Sequence, residues 1–405
     1  LIASRLNCQY PITLQDMCQY TNKTEKEYNK PMKKWLKWLI KQRRLLNQGH
    51  ALVNIDISKS ALFHNLNKFR ELAQKREVAP VLKANAYGHG LSLVSHILKD
   101  EKVPFFVIDS YFEAEALRNE GIKTPLLIIG YVRPENINKS KLKNIVYVIN
   151  SIDSLKSIKS KTHIHLKIDT GMHRQGILPE EGEGAVKIIK DNSNIILEGI
   201  CSHFADADNI DTKFTKNQIS IWNNSLKYFK EQFPTLKYWH ISNTSGTIFK
   251  EASANLIRLG IGLYGIIEMK GINLKPVLEM KTVISGIKKI KKGESIGYDC
   301  TFTATEDMII ATLPLGYYEG IDRRLSNKGF VKIGNEFCPI VGRVSMNITV
   351  IDISKIKNIK IGDEVIVISK IKQDKNSIEN IAKICDTIPY EIAVHIAQHL
   401  RRVVD

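Results

Sequence analysis

The sequence predicts an α/β chain with a (β/α)8 TIM-type barrel over residues 50–276 and a mostly β domain over residues 277–405. Three observations support this prediction. From about residue 50, short apolar runs alternate with helical patterns, as is typical of parallel strands joined by crossover helices. After about residue 276 the helical period gives way to strand-like segments with Gly turns. Residues 1–49 fit neither pattern and form a basic extension.

The candidate barrel strands are short apolar runs, separated in several places by helical patterns such as Phe112–Asn119 and Pro179–Asp191. The runs are Ala51–Ile55, Val78–Leu82, Phe105–Ile108, Leu126–Ile129, Ile145–Ile149, Ile164–Ile168, Ile195–Ile200 and Tyr238–Ile241. A number close to eight favours a closed barrel, whose active site lies at the C-terminal ends of the strands.

The second domain is predicted from β-type segments and a final helix near Ile392–Arg401. The expected strands are Thr282–Ile287, Met308–Leu313, Phe330–Ile333, Val350–Ile353 and Glu364–Ile368. The extension before the barrel has a different character. Pro31 opens an amphipathic pattern, and residues 21–44 contain nine Lys and Arg residues but only two Glu. Such a helix either binds an anionic membrane or partner, or packs its apolar stripe on the parent protein.

The composition excludes several classes of protein. A formal charge of +17 is compatible with an anionic partner, but most lysines lie singly or in pairs, so nucleic-acid binding is not expected. No apolar run approaches the ~18 residues that a membrane span requires. The six cysteines are scattered without metal-ligand spacing, which disfavours a metal site or a disulfide scaffold and suits the reducing cytoplasm.

Two strand ends carry residues capable of amine and acid–base chemistry. Lys83 follows the run Val81–Leu82 and precedes a Gly-containing loop; a partly desolvated lysine there is able to form a Schiff base, although it is equally compatible with a surface residue. Further along, His165, Lys167 and Asp169 share one face of a strand by alternation. This face is either a polar edge or, if it is buried, part of a site.

Three later segments place polar groups or glycines after apolar runs. They are Cys201–Ala205, His240–Gly246 and Arg258–Gly262. Hydroxyl groups and free backbone N–H groups in such segments are suited to holding a phosphate. Each segment taken alone is compatible with a polar turn, but polar groups at several successive strand ends favour a shared site.

Together these motifs resemble those of the alanine racemase family over roughly residues 50–402, and the Lys83 segment is similar to the family's cofactor-binding signature. The resemblance implies that Lys83 forms a Schiff base with pyridoxal 5'-phosphate. It implies that Arg258 faces the pyridine nitrogen with support from His203, that Arg174 reaches the substrate carboxylate, and that Lys167 is a possible site of carbamylation. The remaining implied cofactor contacts are Tyr87, Asn243, Thr244, Ser245, Gly260, Ile261 and Tyr390.

In the second domain, Ile296–Asp299 resembles the segment that carries the opposing catalytic tyrosine, here Tyr298. Val341–Asn347 resembles the segment in which the backbone of Met346 binds the substrate carboxylate. The family's tyrosine comes from a second subunit, which implies a homodimer with shared sites. The chain departs from the family pattern at Asp299, where Gly is more usual, at the pair Tyr318-Glu319, and at Ser345 and Asn347, where many members have Cys and Asp.

The resemblance implies a cytoplasmic racemase that interconverts L-alanine and D-alanine by a two-base mechanism and supplies D-alanine for peptidoglycan. A permanent cation at Arg258 would disfavour protonation of the pyridine nitrogen and so restrain side reactions. The main alternatives are a racemase of serine or of broad specificity and a non-catalytic pyridoxal-phosphate-binding protein; a related amino-acid decarboxylase and a scaffold that has lost activity are two more. Tyr390 favours alanine over serine by the resemblance, and the presence of residues 277–405 with Tyr298 argues against the non-catalytic binder.

Overall fold

Parallel strands form a closed barrel in the first part of the described chain. The computed structural model describes residues 51–209 and 212–405. In chain order the strands of this part are β1 (Val53–Ile57), β2 (Glu77–Pro80), β3 (Phe106–Ile108), β4 (Leu126–Ile128), β5 (Ile145–Ile149), β6 (Thr162–Lys167), β7 (Ile195–Cys201), β8 (Tyr238–His240) and β9 (Leu256–Leu259).

The barrel consists of β2 to β9. Strands β3 to β8 form one sheet in sequence order, and β2 pairs in parallel with β9. The ring closes on both sides of that pair: Val81 bridges to Val107 beside β3, and the Arg258 N–H donates to Ser242 O at 3.1 Å beside β8. Every residue of β5 is buried, as expected for a parallel strand covered on both faces. The predicted (β/α)8 barrel is thereby confirmed.

Helices surround the barrel, and several begin at a side chain that caps their first turn. They are α1 (Lys59–Ala73), α2 (Leu91–Leu98), α3 (Tyr111–Asn119), α4 (Pro134–Lys139), α5 (Ile152–Lys156), α6 (Gly182–Asp191) and α7 (Lys213–Gln232). Ser58, Ser110, Ser151 and Thr212 accept a backbone N–H from the third helical residue of α1, α3, α5 and α7. Such caps satisfy donors that the first turn leaves without a partner.

The first strand does not belong to the barrel. β1 pairs antiparallel with Leu278–Thr282 and parallel with Arg401–Val404, so it lies within the sheet of the second domain. The expectation that Ala51–Ile55 is a barrel strand is therefore wrong, and the eighth barrel strand is β9. Alternation along the chain reports that a strand is half-buried, but not which sheet will bury it. The proposed limits at 276 and 277 remain a prediction.

The second domain is built mainly from antiparallel strands. They are β10 (Leu278–Val283), β11 (Gly286–Ile290), β12 (Ser295–Ile296), β13 (Phe302–Thr303), β14 (Met308–Leu313), β15 (Phe330–Ile333), β16 (Glu336–Pro339), β17 (Thr349–Asp352), β18 (Glu364–Ile368) and β19 (Arg401–Val404). One sheet has the order β16-β15-β18-β10-β1-β19, another has the order β11-β14-β17, and β12 pairs with β13.

Two expectations for this domain need correction. The segment Thr282–Ile287 is not one strand, because β10 ends at Val283 and β11 begins at Gly286. The final helix is also shorter than predicted: after α8 (Ile378–Ile384), α9 covers Pro389–Val394, and Arg401 begins β19. These last residues form a strand because they pair with the edge of β1. The local sequence does not show that this edge will be available for pairing.

Apolar side chains form two main layers around the barrel wall. The inner layer, which includes Val107, Leu127 and Val148, fills the barrel below its C-terminal mouth. The outer layer joins the strands, the surrounding helices and the second domain, with Trp222 and Phe229 of α7 fully buried or nearly so. The predicted basic helix from Pro31 lies outside the described residues. Within the described ranges, no helix has the length and apolar character to cross a membrane.

Candidate active site

A cavity of about 430 Å³ opens at the C-terminal ends of the barrel strands. Its wall contains residues from the loops after most of the barrel strands, with Tyr390 added by the second domain. The lining residues are Val81, Lys83, Tyr87, Asp109, Ile129, Gly130, Tyr131, Val148, Lys167, Arg174, Gln175, Cys201, Ser202, His203, His240, Asn243, Thr244, Arg258, Gly260, Ile261 and Tyr390. Because the carboxyl ends of parallel strands meet at one mouth, residues far apart in sequence converge there.

Lys83 lies just beyond β2 and is partly exposed to the cavity. Its Nζ is 3.8 Å from Asp109 Oδ1, and its side chain is 36% exposed. The four residues that follow, Ala84 to Tyr87, all have positive φ angles between 51° and 56°. This left-handed turn brings the Tyr87 ring back to the same cavity as the lysine amine.

Arg258 is a buried cation at the base of the cavity. Its Nη2 donates to Ser202 O at 2.8 Å and to His203 Nδ1 at 2.9 Å. Its Nη1 donates to both the ring and the carbonyl of His240. No carboxylate in the described ranges forms an ion pair with it, so carbonyl groups and neutral rings hold the guanidinium in place.

The imidazoles beside Arg258 are neutral. Burial lowers the pKa of His203 and of His240 well below the ordinary value, and the charge of Arg258 lowers each pKa further. Since a guanidinium only donates, His240 Nδ1 accepts and the ring proton lies on Nε2. That proton is donated to His165 Nδ1 at 2.8 Å. Arg258, His240 and His165 thus form one chain in which each side chain donates to the next, from the cavity to the buried His165.

Two phenol hydroxyl groups also line the cavity. The rings of Tyr87 and Tyr390 are 6.0 Å apart. Burial raises the pKa of Tyr87 above its ordinary value and raises the pKa of Tyr390 to about 12, so both phenols keep their protons at neutral pH. Gly260 leaves room beside them, since a Cβ there would lie 2.9 Å from Tyr87 Oη. Ser245 is also buried, but it lines a neighbouring pocket instead of this cavity.

Lys167 and Arg174 are two further cations that line the cavity. Burial lowers the pKa of the Lys167 amine, and the cations Arg258 and Arg174 lower it further. Lys167 Nζ donates to Gln175 Oε1 at 3.4 Å. Asp169, which shares the strand face with Lys167, instead accepts the N–H groups of Gly171 and His173 at 2.9 and 3.1 Å. That carboxylate therefore fixes the loop that carries Arg174.

Besides Ser245, two predicted site residues lie apart from the cavity within one chain. Tyr298 and Met346 belong to the second domain and are 69% and 56% exposed. Asp109 and Gln175 also line the cavity, although the sequence did not select them. Cys201 and His240 belong to polar segments that the sequence did select, but they received no individual role. Asp109 directly follows β3, so the strand-end signal that selected the other segments would have selected it as well.

The chain matches two family models along nearly all of its described length. "Alanine racemase, N-terminal domain" matches residues 57–268, and "Alanine racemase, C-terminal domain" matches residues 277–404. The chain belongs to the alanine racemase family. Members of this family are isomerases, and the chain is accordingly an amino-acid racemase.

Individual alanine racemases are similar over almost their whole length. The enzyme of Methanococcus maripaludis is 36% identical over 363 residues, which are 86% of this chain and 97% of that protein. The enzyme of Fusobacterium nucleatum is 36% identical over 361 residues, 86% of this chain and 99% of its own. The solved alanine racemase of Clostridium difficile 630 is 30% identical with a TM-score of 0.81, covering 88% of this chain and 97% of that one. The Bacillus anthracis alanine racemase solved with bound L-Ala-P has a TM-score of 0.82 at 27% identity, covering 88% and 96%.

Proposed function

We propose that this chain interconverts L-alanine and D-alanine with pyridoxal 5'-phosphate, using one acid–base group on each face of the substrate. The observation that carries the proposal is the placement of the Lys83 amine and the buried Arg258 guanidinium in one cavity. An amine able to hold an aldehyde, in one cavity with a cation that pairs with no carboxylate of residues 51–209 or 212–405, suits a cofactor that carries both an aldehyde and a basic ring nitrogen.

The donor set of the cavity fits this cofactor. The volume of about 430 Å³ is within the range of small-molecule sites. The protonated hydroxyls of Tyr87 and Tyr390, with Thr244 nearby, are suited to a phosphate group. Gly260 keeps the space in front of Tyr87 free of a side chain. We assign Asn243, Ser245 and Ile261 to the surroundings of the same group, Ser245 in an outer position.

Four residues of the chain would have separate roles in the reaction. When bound, pyridoxal phosphate supplies the electron sink that makes the Cα proton of an amino acid acidic. Lys83 would hold the cofactor through its amine and move the proton on one face of Cα, and Tyr298 would serve the other face. Arg258, fixed by carbonyls and neutral imidazoles, does not release a proton near neutral pH, so it would leave the adjacent ring nitrogen unprotonated. His203 would support that guanidinium.

Substrate binding is assigned to Arg174 and Met346. Arg174 stands at the cavity wall, where its guanidinium is able to bind a carboxylate with two parallel hydrogen bonds.

We assign carbamylation to Lys167, because its lowered pKa favours the neutral amine that reacts with CO₂. Carbon-13 NMR after incubation with labelled bicarbonate tests this assignment: a carbamate signal retained in Lys167→Met would overturn it.

A second copy of the chain is proposed to complete the site. Tyr298 and Met346 are exposed and lie outside the wall of the cavity that contains Lys83. A homodimer with two shared sites would bring these groups to the partner's cavity.

The D-alanine formed would be supplied to peptidoglycan synthesis in the cytoplasm. Rescue of a D-alanine-requiring bacterium tests that setting, and failure of an expressed, active enzyme to rescue would contradict it.

The central test is an absorbance spectrum of the purified protein, followed by an assay of D-alanine formed from L-alanine. We expect a band near ~420 nm that Lys83→Ala abolishes, together with D-alanine formation. A band without turnover of alanine but with turnover of serine would move the proposal to serine, and a band without any turnover would favour a non-catalytic binder. Absence of the band in the wild-type protein incubated with the cofactor would overturn the assignment of Lys83.

A further inference from the structure

The turn that follows Lys83 has an unusual backbone. Ala84, Asn85, Ala86 and Tyr87 all lie in the left-handed region, with φ between 51° and 56°, and none of them is glycine. Side chains disfavour this conformation because Cβ approaches the following carbonyl oxygen. A run of such residues persists only where the surrounding structure holds it.

Bonds within the segment account for one end of the turn. The ring of His89 is fully buried, and its Nδ1 lies 2.9 Å from Tyr87 O and 3.1 Å from Ala86 O. The side chain of Asn85 accepts the Leu91 N–H at 2.8 Å. These contacts fold the segment back on itself, but they do not connect its first residues to the rest of the barrel.

Glu113 supplies that connection at the other end. It is the third residue of α3, and its Oε1 accepts the Ala84 N–H at 2.9 Å. Its Oε2 accepts the N–H groups of Asp109 and Ser110 at 2.8 and 3.2 Å. All three partners are donors, so the side chain acts solely as an acceptor, which suits a carboxylate at a helix N-terminus.

One carboxylate therefore ties together two loops of the cavity wall, the loop after β2 and the loop after β3. The first loop carries Lys83, which immediately precedes the bonded Ala84 N–H. The second carries Asp109, whose side chain is 3.8 Å from Lys83 Nζ. Without Glu113, the N–H of Ala84 would lose its acceptor at the start of a disfavoured turn.

We propose that Glu113 is a positioning residue that holds the left-handed turn and thereby aims Lys83 and Tyr87 into the cavity. The effect of Glu113 on the backbone does not depend on the proposed function, whereas its effect on cofactor binding rests on that function. Glu113 is not part of the wall of the cavity. Its carboxylate oxygens accept backbone N–H groups, and none of these belongs to a residue assigned to the reaction.

The test compares four variants of the full-length protein. Glu113→Ala removes both acceptor oxygens, and Glu113→Gln keeps one acceptor while turning an NH₂ group toward a backbone donor. Glu115→Ala removes an exposed carboxylate two residues further along the same helix. Ser110→Ala removes the hydroxyl that caps α3 through the Glu113 N–H and leaves the bond to Ala84 in place.

Two measurements distinguish the possible outcomes. Amide hydrogen exchange in residues 83–90 is expected to accelerate about tenfold or more in Glu113→Ala, less in Glu113→Gln, and little in either control. Titration with pyridoxal phosphate should show about tenfold weaker binding in the same order, with far-UV circular dichroism unchanged.

Equal exchange in Glu113→Ala and Glu115→Ala would overturn the proposal. An equal effect of Ser110→Ala would also overturn it, because helix capping alone would then explain the result. Failure of the wild-type protein to bind pyridoxal phosphate would instead refute the proposed function, and the exchange measurement would still test the role of Glu113.

Discussion

A buried chain of side chains fixes the charge at the base of the cavity. Arg258 donates to the ring of His240, whose other nitrogen bonds to His165 Nδ1 at 2.8 Å. Burial lowers the pKa of His165 to about 3, and the charge of Arg258 acts in the same direction. All of these rings are neutral at neutral pH, so the positive charge of the group is confined to the guanidinium.

This arrangement predicts a specific loss of stability in acid. An unfolded histidine titrates near ~6.5, so between about pH 6.5 and 3 the unfolded chain binds a proton that folded His165 does not. The contribution to stability is complete above pH ~6.5 and falls as the pH drops, by at most about 1.4 kcal/mol per pH unit for each such histidine. His165→Phe should therefore reduce the pH dependence of the unfolding free energy between pH 6.5 and 4.5.

Urea unfolding at several pH values measures this slope. A constant offset between the wild type and His165→Phe would reflect packing, whereas the difference in slope reports the titration alone. His399→Phe is a matched control in which an exposed imidazole is lost. Parallel curves for the wild type and His165→Phe would show that His165 does not titrate differently in the two states, contrary to this account.

At the scale of secondary-structure elements, the Lys83 turn is packed against helix α9 of the second domain. Gly88 has φ +82°, and a Cβ built on it would lie 1.9 Å from Ala393 O. Arg402 Nε, on strand β19, also donates to Gly88 O at 2.9 Å. The turn that follows Lys83 is thus held from two directions, by α3 through Glu113 and by the C-terminal elements through Gly88.

A pair of glycine substitutions isolates the contact with α9. Gly121 also has φ +82°, but a Cβ there meets nothing within 4 Å. Both Gly88→Ala and Gly121→Ala incur the strain of the left-handed backbone, whereas only Gly88→Ala forces overlap with another element. We expect Gly88→Ala to lower the unfolding free energy by about 1–3 kcal/mol more than Gly121→Ala. Equal losses in chemical denaturation would mean that α9 shifts away without cost.

At the scale of the whole molecule, the proposed site needs two chains. If Tyr298 serves the cavity of a partner, Lys83→Ala and Tyr298→Phe variants should complement each other. A hybrid dimer would contain one site with both groups intact and one site with neither. Random pairing of equal amounts should therefore restore about a quarter of the wild-type activity, because half of the dimers are hybrids with one working site.

Co-expression with different affinity tags makes this measurement possible, and each variant expressed alone provides the baseline. Activity that remains at the sum of the two separate variants would contradict a shared site. A wild-type monomer with full activity, found by sedimentation during turnover, would contradict it more directly.

The barrel strands and many site residues were predictable from the sequence, because the C-terminal ends of parallel strands lie together at one end of the barrel. The alternation identified seven of the eight barrel strands. Residues at or after the ends of those strands, including Lys83, Lys167, His203 and Asn243, could be grouped from the sequence alone. The motif Lys83–Gly90 and the later segments also sufficed to indicate the family that the comparisons established.

By itself, therefore, the sequence determined the barrel, the β domain and the family, since local periodicity and short motifs encode burial and strand order. Only the tertiary structure decided that β1 belongs to the second domain, that the chain ends in β19, and that Glu113 and His240 support the site. It also decided that Tyr298 lies exposed, away from Lys83. The physical reason is that a hydrogen bond or strand pair between distant segments depends on which partner folding brings near, and alternation along the chain carries no record of that partner.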